Sequence, residues 1–174
     1  SPRQYALAEV RLKSSDPSRA ASIRALNLHF APPLVDEAVA ELWPLRQIEP
    51  GADEEFTLYI HPTFSENNPG FDRIVLRSSS AVPIEIIEVR AGPESLLRLG
   101  AGQVLWPGPL QFERGEEEEA ELVFPEPVRR ETLYAIRLRT RVFLGNTQFS
   151  AQLLNATFPA RTQQISAGNV TEIV

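Results

Sequence analysis

The stretch 132–144, TLYAIRLRTRVFL, decides how this chain folds. Its residues alternate with a period of two, Leu133, Ala135, Arg137, Arg139 and Arg141 against Tyr134, Ile136, Leu138, Thr140 and Val142. A helix would scatter both sets around its circumference, whereas an extended strand points them to opposite faces of a sheet. One face of that sheet is core and the other is charged. Glutamates on neighbouring strands, such as Glu119 and Glu121, are expected to pair with the arginine row, because opposite charges side by side on a sheet attract.

The same period recurs on either side of this stretch. Residues 119–124 read as a strand. Gly145-Asn146 reads as a tight turn into 147–158, so the last two long strands are expected to form a hairpin, and 169–174 is a final short strand. Upstream, 84–90 sets Ile84, Ile86 and Glu88 against Glu85, Ile87 and Val89. Residues 71–77 set Phe71, Arg73 and Val75 against Asp72, Ile74 and Leu76, and 55–61 set Phe56, Leu58 and Ile60 against Thr57, Tyr59 and His61. Residues 96–112 offer only short pieces broken by glycine and proline. The stretch 34–42 has helical spacing that stops at Trp43-Pro44 after barely two turns; it is ambiguous and leans to strand. Ile23, Ala25, Leu26, Leu28 and Phe30 mark a strand over 23–30, and Tyr5, Leu7, Val10 and Leu12 mark one over 4–12, with turn-forming residues at 14–18 between them.

Nine or ten strands spaced by turn signals predict an all-β chain, an antiparallel β-sandwich of the Ig-like or jelly-roll-like kind rather than a closed barrel. At 174 residues the chain is a single domain, with 1–33 an appended or exchanged N-terminal strand pair. Its 15 prolines, spread over turns and strand ends, would blunt the sheet edges against uncontrolled pairing.

Charge and composition exclude several function classes. The net charge of −6 lacks the clustered cations that displace counterions from nucleic acid or hold an anionic membrane. The absence of cysteine removes disulfides, thiolate metal sites and a cysteine nucleophile, and leaves the redox compartment open. No window reaches the ~18 apolar residues of a membrane span. A chain that starts Ser1-Pro2-Arg3 and holds no methionine reads as cut from a longer precursor or as an excised segment.

Catalytic constellations are thin. A nucleophile triad needs a histidine base, and His29 and His61 both fall in predicted strands. No nucleophile elbow, phosphate-binding loop, dinucleotide fingerprint or zinc-protease motif occurs, so no catalytic, cofactor or metal residue is assigned. Two carboxylates facing each other across a cleft would suit a glycosidase, a geometry that a chain with 23 acids neither displays nor forbids. Glu113, Glu116 to Glu119 and Glu121 form the densest acidic set. It reads as a solvated loop, with a calcium ion as the alternative; Asp53-Glu54-Glu55 and Asn67-Asn68 with Asp72 are weaker sets of that kind. Trp43, Trp106 and Tyr59 are candidate stacking residues for a carbohydrate, although tryptophan before proline is more often a plug at a sheet end. Asn155-Ala156-Thr157 and Asn169-Val170-Thr171 have the form of glycosylation sequons.

Three stretches carry a resemblance. QYALAEVRLKSSDPSRAASIRALNL at 4–28 resembles the closing strands of jelly-roll modules in large bacterial surface proteins. GFDRIVLRSSSAVPIEIIEVR at 70–90 and IRLRTRVFLGNTQFSAQLLN at 136–155 resemble β-sandwich repeats of secreted, multidomain bacterial proteins. The resemblance implies an extracellular or cell-surface placement and adhesive, spacer or carbohydrate-binding work, and it transfers no functional residue. The expectation is a non-catalytic structural or adhesive domain with protein partners, itself or neighbouring domains of a larger assembly, with no nucleic acid and no membrane insertion. It is a candidate filament or surface subunit. Tyr5, Leu7, Val10 and Leu12 at one end and Val170 and Ile173 at the other would serve as assembly strands. A carbohydrate-binding module is the alternative.

Overall fold

A computed structural model describes residues 9–16, 18, 20–27, 32–45, 48–79, 82–114, 119–143 and 147–171. The alternation at 132–144 becomes strand β8 (Leu133–Arg141), third from one edge of a six-stranded sheet. Strands β1 (Glu37–Trp43), β2 (Asp53–Thr63), β4 (Glu85–Gly92), β5 (Gln103–Trp106) and β11 (Ser166–Ala167) join it in the order β11-β1-β2-β8-β4-β5. Strands β3 (Phe71–Ser78), β6 (Gln111–Arg114), β7 (Ala120–Val128), β9 (Phe149–Leu154) and β10 (Thr162–Gln164) make a second sheet, ordered β10-β9-β3-β7-β6. One short helix, α1 (Glu94–Leu97), follows β4.

The two sheets close on one core. Phe56, Ile60, Val89, Ile136 and Leu138 of the first pack with Phe71, Ile74, Leu122 and Leu153 of the second, each at most 2% exposed. Phe71, Phe124 and Tyr134 meet edge-on, with ring centroids 5.6 to 6.3 Å apart. Leu133 and Ala135, on the opposite face of β8, are buried as well, because Leu97 of α1 and Val170 pack over them beside Tyr59. The chain is thus an all-β sandwich, as the alternation implied, and it is antiparallel except where β11 lies parallel to β1.

Several local expectations fail for identifiable reasons. β8 and β9 form no hairpin: β8 already has β2 on one edge and β4 on the other, so the chain crosses to the second sheet, where β9 pairs with β3 and β10. The turn expected at Gly145-Asn146 lies outside the described residues. Glu119 and Glu121 bond Arg77 and Arg73 on the second sheet, not the arginine row, which faces β2 and β4. Residues 34–42 resolve into a buried plug, Leu34 and Val35, followed by β1. The side-chain amide of Gln163 fixes that plug by accepting from Val35 N at 3.1 Å and donating to Val35 O at 2.9 Å, in the manner of a neighbouring strand.

The two ends also depart from the strand reading. Residues 9–12 and 23–27 form no strand, since alternation supplies a face but not a partner ladder. Tyr5, Leu7, Leu28, His29 and Phe30 lie outside the described residues. Asn169, Val170 and Thr171 form no strand either. They are tied to β1 by the Glu41 carboxylate, which accepts from Val170 N, Thr171 N and the Thr171 hydroxyl at 2.8 to 3.0 Å. Val170 is therefore used inside the domain, and Ile173 lies outside the described residues.

Candidate interaction surface

The three aromatic candidates do not converge. Tyr59 is 7% exposed, and burial raises its phenol pKa against the opposing charge of Arg98. Trp106 stands opposite the buried Val89 and packs on the core, with its ring 6.0 Å from that of Phe112. Trp43 stands opposite Thr57 on the outer face of the first sheet and is 43% exposed. A stacking platform needs coplanar neighbours, and of these residues Trp43 alone is strongly exposed while Trp106 is half-buried.

The acids on the outer face are engaged by arginines. Glu55 accepts from Arg139 at 2.7 Å and Arg137 at 3.0 Å, which lowers its carboxyl pKa. Arg139 reaches Glu85, and Arg141 grips Asp53 with two bonds of 3.0 and 3.1 Å. Asp72 accepts from Ala156 N, and Asn68 is committed to Ser65 and Pro33. Among the described residues no three His, Asp or Glu side chains converge as a metal would need, and Glu116 to Glu118 lie outside them. His61 lines a shallow hollow with Glu94, Glu131 and Val170. Asn155 is 2% exposed and donates through Nδ2 to Gly70 O at 2.9 Å, which closes that sequon in the folded chain, while Asn169 is exposed.

The sandwich is open along both sides. On the β5–β7 side a cleft of about 810 Å³ has Phe124 and Tyr134 among its walls and Arg129, Arg130 and Glu131 around it. Burial raises the Tyr134 pKa. β7 continues past its last pairing with β6 at Val123, but Pro125 and Pro127 remove two N–H donors there and blunt that edge.

The β1–β9 side is different. Two adjoining hollows of about 340 and 430 Å³ share Leu42, Leu45, Thr147 and Phe149 and form one apolar groove between the sheets. Leu45 is 68% exposed and Phe143 51%. Both strands at its mouth have edge positions that no described residue pairs. β11 pairs with β1 only at Val39 and Ala40, and Gly168 N then bonds Ala40 O. Ala40 thus directs its carbonyl outward, and Leu42, two residues on, directs its own backbone groups the same way. No described residue bonds them. Likewise β10 covers β9 from Gln152 to Leu154, with Ile165 N bonding Ala151 O, and leaves Phe149 and Ser150 unpaired on that edge. The groove had one signal in the sequence: Phe143 is apolar where alternation after Arg141 would place a charge.

The described residues of 9–27 are all exposed and belong to no helix or strand. Val10 is 49% exposed, Leu12 53%, Ile23 47% and Leu26 59%. Residues 9–13, Glu-Val-Arg-Leu-Lys, alternate strictly, and Arg11 Nε donates to Glu9 Oε1 at 2.6 Å. The arm leaves the sandwich at Pro32-Pro33, held by Asn68 Nδ2 on Pro33 O at 3.2 Å. Residues 1–31 carry five cations and two acids, a net +3, so 32–174 carry −9 of the total −6.

No family model and no curated protein matches this chain. Similar solved structures are distant. One is ACE19, the collagen-binding subdomain of the Enterococcus faecalis surface protein ACE, at 9% identity and TM-score 0.36, covering 81% of this chain and 100% of that one. Another is PapD-like domain 7 of human CEP192, at 14% identity and TM-score 0.29, covering 86% and 94%. A third is AvmM, which catalyses macrocyclization in alchivemycin A biosynthesis, at 14% identity and TM-score 0.28, covering 81% and 100%. At these identities and scores no function passes from them to this chain.

Proposed function

We propose that this chain is a non-catalytic extracellular domain of structural or adhesive character, which joins protein neighbours, its own copies first among them, by strand addition through the N-terminal arm. The observation that carries the reading is the arm itself: a strictly alternating segment at 9–13 whose apolar residues Val10 and Leu12 are half exposed and unpacked. An extended segment of this kind gains main-chain hydrogen bonds and side-chain burial only when it meets a free sheet edge. The net +3 of the arm against −9 for the remainder draws such a segment to another copy.

Amide hydrogen exchange of residues 9–13 at low and high protein concentration tests this directly. Strand addition requires their exchange to slow as concentration rises. Exchange at the rate of an unstructured peptide at every concentration would refute the reading.

A further inference from the structure

The open corner between β1 and β9 has the shape and chemistry that the arm lacks. It has an apolar trough bounded by Leu42, Leu45 and Phe149, with backbone positions on both lips that no described residue pairs. The remaining sheet margins end in short strands: β11 has two residues, β10 three, and β5 and β6 four each. Short edge strands are how sheets avoid unwanted pairing. On β1 the outward backbone groups of Leu42, just past the last bond to β11, have no partner among the described residues, and they adjoin the trough.

Resting on the assembly reading above, we infer that residues 9–13 of a second copy occupy this groove. They add beside β1 at Leu42, whose outward backbone groups no described residue bonds. The alternation of the segment then matches the two environments it meets. Val10 and Leu12 enter the trough between the sheets, and Arg11 and Lys13 fall on the outer face, where the Trp43 indole is exposed. A guanidinium or ammonium over an indole face is a favourable contact, and it gives Trp43 a role that neither the core nor a sugar platform supplies. The occupant is a second copy because the arm is the exposed, strand-patterned, cationic segment of this same chain, whereas the domain that must receive it is strongly anionic.

The chain contains no cysteine, so paired single-cysteine variants report contact without background. Leu12→Cys protein is mixed with Leu45→Cys protein under mild oxidation, both positions being exposed enough to leave the fold intact. Leu99→Cys, 80% exposed on a different part of the surface, is the control acceptor. Phe143→Cys is the second acceptor on the groove. The expected result is a covalent dimer of twice the 19.4 kDa chain with either groove variant, formed at least tenfold faster than with the control. Trp43→Ala in the acceptor should slow it severalfold. Association of the unmodified chain with cross-linking no faster at Leu45 and Phe143 than at Leu99 would overturn the groove and leave the arm reading standing. A bond formed only within one chain, in the Leu12→Cys/Leu45→Cys double variant, would overturn the second copy. Absence of any association by the unmodified chain would overturn both.

Discussion

At the scale of single residues, the fold depends on a few positions whose roles local pattern does not reveal. Gly70 has φ +79°, and a Cβ added there would run into the Val128 carbonyl oxygen; its own carbonyl accepts from the buried Asn155. Both the left-handed backbone and the lack of space require glycine. Gly70→Ala is expected to cost about 2 kcal/mol or more and to lower the melting temperature by about 4–8 °C, as calorimetry would read it. No change would remove this account of the turn before β3. Gln163 is similar. In the sequence it is one polar residue in a polar stretch, and its service to Val35, 128 positions away, is invisible there. By contrast Ile136 and Leu138 are legible as core, because a side chain's face follows from its parity along a strand and the opposite face of β8 carries the arginine row.

At the scale of elements, legibility tracks how much of an element's fate is local. β2, β3, β4 and β8 carry a buried face along most of their length, and their alternation reveals them. Helix α1 is too short to display a helical period. The β8–β9 hairpin was misread because a turn signal is local, whereas strand partners are settled by competition for edges that β2 and β4 had already filled. The segment at 168–171 is tied to β1 by the Gly168 N bond to Ala40 O, by the packing of Val170 and by one charge. Burial alone would raise the Glu41 carboxyl, but the donors Thr171 and Val170 and the nearby Arg98 hold it below the ordinary value of 4.5. A carboxyl depressed on folding contributes stability that is fully present above its unfolded value and is lost as pH falls through its folded one. Val170 and Thr171 are therefore expected to stay docked at pH 5 and above and to detach below pH 4.5 while the rest of the sandwich persists. Amide signals of those two residues that hold unchanged under acid would show that packing on Tyr59 and Leu97, not the carboxylate, keeps the segment in place.

At the scale of the whole molecule, charge is divided between a cationic arm and an anionic sandwich, and the open edges are divided in the same uneven way. Pro125 and Pro127 withdraw donors along one side, whereas β1 and β9 keep theirs beside an apolar groove. The sequence displayed the sandwich and the alternation of the arm. It did not display the groove, which exists only where the ends of β1 and β9 from two sheets come together. A monomer leaves Val10 and Leu12 in water, and an assembled form buries them at about 1.5–3 kcal/mol for each side chain fully covered, less the cost of ordering the arm. The most direct test is the mass of the full chain by light scattering across a concentration series, beside Leu12→Asp. The account predicts masses that climb above 19.4 kDa with concentration for the unaltered chain and remain at 19.4 kDa for the variant. A constant 19.4 kDa for the unaltered chain, or equal association by both proteins, would contradict it.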